Sequence, residues 1–297
     1  MYFSNEYICL NFKELIPDIR VILETHDSAF DVTDSHLLLG YKPLLIGIPK
    51  NGSHITSHTA SLKFFTSEKL CGTIRLCISD TFHENLTIFV GHSASHELLT
   101  VSQQILHILI RNRKRKNDPL NPPRDLYDQI RVAYSYPRKI SVITVGENEL
   151  YNVFPTDLHG EIHGQNKYII SLRENGKAFR QVVHSGRICL STVSCDQFRE
   201  VYALGKNHMQ DLQPVNYFPA ETLRILNGSG LAVYGAATGY LILKMESEQK
   251  AGIHHLITFS IEKRSATDKQ LNILSHIHSY YALWRKRNNF SDILFIR

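Results

Sequence analysis

The stretch YIISLRENGKAFRQVVHSGRICLST, residues 168–192, sets the problem. Its two ends, KYIISL (167–172) and RICLSTV (187–193), are apolar runs of strand length, rich in β-branched residues. Between them GKAFRQVVHSG (176–186) predicts a short amphipathic helix bracketed by glycines. The corner joining the first strand to the helix carries Ser171, Arg173 and Lys177. A strand, a cationic corner, a short helix and another strand need a common purpose.

Working outward, the chain divides at a proline-rich break. RNRKRKNDPLNPPRD (111–125) follows a helical pattern, SHELLTVSQQILHILIRNRKRK (95–116), whose apolar residues share one face and whose N-cap is read as Ser95. Cations at a helix end complement its dipole, and Pro119, Pro122 and Pro123 stop it. The basic run therefore reads as a helix end and a linker. No aromatics are interleaved with it, so nucleic-acid binding is not expected. Upstream, KPLLIGIP (42–49), GTIRLCIS (72–79) and LTIFVG (86–91) are strand-like. Downstream come KISVITV (139–145), GLAVYGAATGYLILKMESEQ (230–249) and HHLITFSIEKRS (254–265), with a helix over 196–208 and a helical tail over 268–289. Many short strands with little helix predict a barrel or sandwich.

Composition narrows the class. The 297 residues carry a net charge of +5, a mild excess, and no apolar run reaches the roughly 20 residues of a membrane-spanning helix. The first residues lack a signal-peptide pattern. A soluble cytoplasmic protein without membrane partners is expected. The five cysteines, an odd number with no close pair, read as free thiols.

Three other patterns compete for attention. VGHSASHELL (90–99) resembles a nucleophile elbow around Ser93, with Ser95 where the second glycine belongs. It makes a serine hydrolase the third functional choice. The pairs His54/His58, His92/His96 and His159/His163 have metal-binding spacing, but none carries the adjacent glutamate of a metalloprotease, and no metal site is expected. GSGLAVYGAATGY (228–240) is followed by no Gly-Lys-Ser/Thr, which excludes a P-loop, and its glycines read as strand bulges or close packing.

The order of the weak motifs is more informative than any one of them. PRKISVITVGENELYNVFPTD (137–157), the stretch 168–208 and AGIHHLITFSIE (251–262) resemble, in sequence order, the flavin reductase-like family of FMN-binding split barrels, which includes flavoredoxins. The motifs span a little under half of the chain. The resemblance implies an α+β protein: a C-terminal split β-barrel over 127–297, a linker over 118–126, and a smaller α+β N-terminal domain of unknown role over 1–117.

The question raised by residues 168–192 then has a physical answer. A phosphate calls for backbone N–H groups, hydroxyls and a cation, and a polar corner feeding a helix supplies all three. The resemblance implies that Lys177 contacts the FMN phosphate, with Ser171, Leu172 and Arg173 at the strand end. Thr156 approaches the flavin or its ribityl chain, Asn152 precedes that segment, and His254 on the late strand lies near the flavin. It assigns no catalytic residue, because the cofactor carries the chemistry. It implies NAD(P)H as donor, an unspecified electron acceptor and a homodimer. The expected function is an FMN-dependent flavin reductase or a flavoredoxin-like oxidoreductase. Two departures, Ala178 in place of a hydroxyl residue and no Pro-Pro before KYIISL, open the alternative of a degenerate split-barrel module that binds FMN or a partner without turnover.

Overall fold

In TASLKFFT, residues 59–66, Ala60, Leu62, Phe64 and Thr66 are buried and their neighbours are not, so the strand has one dry face. KYIISLR, residues 167–173, is buried almost throughout, because both faces of its strand are covered. This contrast runs through a computed structural model that describes residues 7–11, 18–50, 57–81, 83–115, 123–226, 230–265 and 272–289.

In chain order the N-terminal elements are β1 (Tyr7–Asn11), β2 (Ile19–Glu24), β3 (Ala29–Asp31), β4 (Leu37–Tyr41), β5 (Leu44–Pro49), β6 (Thr59–Thr66), β7 (Lys69–Ile78), β8 (Leu86–His96) and α1 (Val101–Arg115). Then come α2 (Arg124–Ala133), β9 (Arg138–Lys139), β10 (Ser141–Glu147), β11 (Leu150–Thr156), β12 (His159–Ile162), β13 (Lys167–Arg173), α3 (Lys177–Ser185) and β14 (Arg187–Val193). The chain continues with α4 (Phe198–Ala203), β15 (Gln213–Pro214), β16 (Leu223–Leu226), β17 (Leu231–Tyr234), β18 (Ala237–Ala251), β19 (His254–Arg264), β20 (Leu274–His278) and α5 (Ser279–Arg287).

Two antiparallel sheets dominate. The N-terminal sheet has the order β3-β2-β6-β7-β8-β5-β4. The C-terminal sheet has the order β12-β13-β19-β18-β14-β10-β11-β15 and curls into a half-barrel. The architecture is the α+β class with a C-terminal split-barrel sheet that the sequence led us to expect. Helix α3 plugs the curl: Ala178 and Val182 pack with Ile143, Phe154, Tyr168, Ile170, Leu172 and Phe259. Gly186, in the left-handed region at φ 64°, ends that helix.

On β13 the side chains alternate. Ile170 and Leu172 enter the barrel core, while Ile169 joins Leu37, Leu39, Leu45 and Leu86 of the N-terminal sheet in a layer between the two sheets. Small residues allow that approach: a Cβ on Gly160 would lie 2.3 Å from the Leu37 side chain. Helix α2, β20 and α5 lie on the N-terminal sheet, contributing Ile130, Tyr134, Ile277 and Tyr281 to its core.

Several expectations need correction. There is no elbow at Ser93: β8 continues through it, with Ser93 paired opposite Arg75 and a bulge at His92. The helix starts later, at Val101, where Thr100 and Gln103 cap it reciprocally. That Thr-x-x-Gln box satisfies two backbone donors, which Ser95 alone does not. The tail is not one helix over 268–289. Leu274–His278 is a strand between β1 and β9, and only Ser279–Arg287 is helical. Its Leu-Ser-His-Ile-His sequence fits either period, and sheet pairing decides it. The run 230–249 is two strands broken at Gly235 and Ala236. Helix α2 starts inside the stretch read as linker and runs on through residues for which no element was expected.

Candidate functional site

Because β13 alternates, Ser171 and Arg173 point to the side opposite the barrel core, toward the N-terminal sheet. There they meet a cavity of about 710 Å³, within the size range of small-molecule and cofactor sites. One wall is the barrel: the end of β11 with Thr156, then Asp157 and Leu158, the end of β13 from Ser171 to Arg173, and the start of α3. The opposite wall comes from Tyr41 at the end of β4 and from α2, which lies on the N-terminal sheet, with Tyr127 and Ile130 on one face and Tyr134 at its C-terminal end.

Arg173 is the cation of this cavity. It stands exposed at the rim of the cavity, has no carboxylate partner among the described residues, and its guanidinium lies 4.9 Å from the Tyr41 ring. The N-terminus of α3 opens beside it: Gly176, Ala178 and Phe179 all line the cavity. Ser171 Oγ sits 3.1 Å from His254 Nδ1, and the His254 ring stands edge-on to Tyr41 at 4.8 Å. His254 is 1% exposed, and its Nε2 is buried without a hydrogen-bond partner. Burial, helped by the charge of Arg173, lowers its pKa to about 4. The imidazole is therefore neutral near pH 7 and offers one unused nitrogen. NMR titration of the His254 ring should show no protonation between pH 8 and 5.5. Since the unfolded chain takes up this proton near pH 6.5, the group costs stability as the pH falls from 6.5 toward 4.

At the back of the cavity Asp157 accepts hydrogen bonds from Tyr134 Oη at 2.8 Å and from His276 Nδ1 at 3.0 Å. Burial alone would raise its pKa, but the His276 bond and charge and the Tyr134 hydroxyl outweigh it, and the carboxyl is held below its usual range. His276 also touches the Tyr202 hydroxyl. His208 Nε2 donates to the Pro155 carbonyl at 2.8 Å, which fixes the neighbouring wall.

Of the residues singled out in the sequence, Thr156, Ser171, Leu172, Arg173 and His254 line this one cavity. Two do not. Lys177 points outward, with Nζ 2.6 Å from Asp211 on an exposed patch. Asn152 is 1% exposed and spends its amide on Gln181 and the carbonyl of Asn207, at 2.7 and 3.0 Å. Ala178 is buried at the junction of the cavity and the barrel core, where a hydroxyl would compete with packing.

No family model matches the sequence, and neither does any curated protein. Solved structures do. The chain is similar in fold to flavin reductases. The NADH:FAD oxidoreductase SgcE6 of Streptomyces globisporus is 14% identical, with 54% of this chain and 92% of that one covered at a TM-score of 0.45. A flavin reductase domain protein of Arthrobacter sp. FB24 is 11% identical, with 51% and 90% covered at 0.42. An FMN-binding protein of Thermus thermophilus is 16% identical, with 44% and 72% covered at 0.38.

Sequence reading missed Tyr41, Tyr127, Tyr134, Asp157, His208 and His276. A signal existed for part of this set: Tyr127, Ile130 and Tyr134 are three and four residues apart, the spacing of one helical face. The remainder depends on how the two sheets meet. Among the described residues no three His, Cys, Asp or Glu side chains form a metal-holding group. His92 and His96 lie on a strand, and His54 is outside the described residues. Cys71, Cys77, Cys189 and Cys195 are free thiols. No helix among the described residues is long and apolar enough to cross a membrane.

Proposed function

We propose that the cavity holds FMN and that the protein is a flavin reductase-like oxidoreductase, passing electrons from NAD(P)H through the flavin to an acceptor. The observation that carries this reading is the convergence on one cavity of an unneutralised arginine, the mouth of a helix, two hydroxyls and a ring of aromatic and aliphatic side chains. That donor set fits the cofactor. Arg173 and the backbone N–H groups opening α3 would hold the phosphate, Thr156 and Ser171 the ribityl hydroxyls, and Tyr41, Leu158, Leu172 and Phe179 the flat ring. In this reading Lys177 takes no phosphate contact and Arg173 supplies the cation.

FMN, when bound, supplies hydride acceptance and one- or two-electron release. The chain's part is to bind, orient and keep water out. Tyr41 and the α2 tyrosines cover the cavity, which strengthens the field of Arg173 inside it. Neutral His254 adds no charge and keeps Nε2 free for a polar edge of the ring system. We further propose the domain division 1–117 and 127–297, a homodimer, and a soluble setting.

Purified protein incubated with FMN and desalted should show bands at about 375 and 450 nm that bleach anaerobically with NADH or NADPH. A colourless protein that also fails to retain added FMN would refute the cofactor assignment. Retained FMN that NAD(P)H leaves oxidised would support the second reading, a flavin-holding module without turnover. The covering wall from Tyr41 and α2 favours that reading, since it takes up one side of the cavity.

A further inference from the structure

Behind Asp157 lies another cavity, of about 390 Å³, between the start of β9, the β12–β13 hairpin and the segment before β4. Its chemistry differs from that of the first. Arg138 and Lys139 both line it. Arg138 is 6% exposed, and its Nε and Nη2 donate only to the Ala133 carbonyl, at 3.3 and 2.9 Å. Lys139 Nζ has a single partner, Thr192 Oγ1 at 3.1 Å. Neither cation has a carboxylate within ion-pair distance among the described residues.

The acids nearby do not neutralise them. Glu161 is taken by Arg264 through two bonds of 2.6 and 2.9 Å, Asp157 by Tyr134 and His276, and Asp34 is exposed at the rim. A third polar group, an imidazole, lines the same cavity. His159 Nδ1 lies 2.7 Å from the Tyr168 hydroxyl, which leaves a buried Nε2 with no partner. Burial and the nearby Lys139 charge keep this ring neutral. When the tyrosine hydroxyl donates to Nδ1, Nε2 carries the proton and is a donor without an acceptor.

Arg138 is buried with its guanidinium 5.2 Å from the Tyr136 ring and Lys139 is partly buried, and cations drawn out of water without a carboxylate cost free energy unless something compensates them. Two cations around one cavity, beside an imidazole nitrogen without a hydrogen-bond partner, are the complement of an oxyanion. The space exceeds that of a bare phosphate, and Leu37, Leu190 and Leu241 line its remainder. We propose that this is a second ligand site, independent of the flavin reading, which takes a small organic oxyanion with its phosphate or carboxylate between Arg138 and Lys139 and its carbon body against the leucines.

The test is calorimetric titration of flavin-free protein at pH 7 with inorganic phosphate, phenyl phosphate and benzoate at matched ionic strength. Phenyl phosphate or benzoate should bind at least several-fold more tightly than inorganic phosphate. Lys139→Gln should weaken that binding tenfold or more, Lys139→Arg should largely preserve it, and Arg173→Gln should leave it unchanged. No binding to wild-type protein overturns the proposal, as does binding lost in Arg173→Gln but kept in Lys139→Gln, which would put the anion in the first cavity. Inorganic phosphate binding as tightly as the organic anions overturns the organic part. Should Lys139→Gln fail to fold, the wild-type, Lys139→Arg and Arg173→Gln titrations still decide.

Discussion

Arg173→Gln weakens FMN binding by roughly one to two orders of magnitude, while Lys177→Gln changes it by no more than about threefold; this is the expected result of measuring both dissociation constants by flavin fluorescence quenching. The contrast follows from where the two cations sit. Arg173 leaves β13 on the face turned to the N-terminal sheet, lies over Tyr41 at the cavity rim and has no acid to satisfy it among the described residues. A phosphate there would meet a charge that no acid neutralises, and hydrogen bonds to charged groups are worth about 1.5–3 kcal/mol each. Lys177 is one residue into α3, exposed, and engaged with Asp211. Exposed ion pairs of that kind contribute at most about 1 kcal/mol, and this one lies outside the cavity. Glutamine at 173 keeps the stem and a donor but not the charge, so a loss would report electrostatics more than packing. The reverse outcome, binding lost with Lys177 and kept without Arg173, would rule out the arrangement proposed here and restore the sequence-based assignment.

Asp157→Asn costs about 1.5–3 kcal/mol of folding stability, read from the midpoint of urea denaturation at pH 7. The carboxylate accepts from Tyr134, which extends from α2, and from His276 on β20, and so ties the mouth of the barrel to the elements lying on the N-terminal sheet. An asparagine offers one acceptor oxygen and turns an amide toward one of the two donors. The pH dependence gives a second check with a definite sign. The folded pKa of Asp157 lies below its unfolded value, near 4. Its stabilisation is therefore complete above that unfolded value and is lost as the pH falls through the folded one. The stability gap between wild type and Asp157→Asn should be full at pH 6 and shrink steadily below pH 4. A gap that is constant with pH would mean that the substitution acts through packing alone.

Much of the barrel was legible because its strands are punctuated. Residues 167–173, 177–185 and 187–193 fall within a residue of the boundaries expected, since Gly176 and Gly186 bracket the helix and the β-branched runs leave no helical alternative. The Ser93 region misled because small residues after a strand suit a tight turn and an unremarkable strand equally well, and only pairing with β7 separates the two. The tail misled because Leu274, Ile277 and Tyr281 keep helical spacing although the first two lie on a strand. In the site, strand alternation sufficed to send Ser171 and Arg173 to one side. Nothing local to Lys177 foretold Asp211, and nothing local to Tyr41 foretold His254, because those neighbours are more than thirty residues away in sequence.

The two-walled cavity has a mechanical corollary. Any molecule seated between Arg173 and the tyrosines of Tyr41 and α2 acts as mortar in the seam between the sheets, and its affinity becomes a gauge of how tightly that seam is shut. A side chain remote from the cavity but inside the seam, such as Leu37 against Gly160, can then tune occupancy without touching the guest.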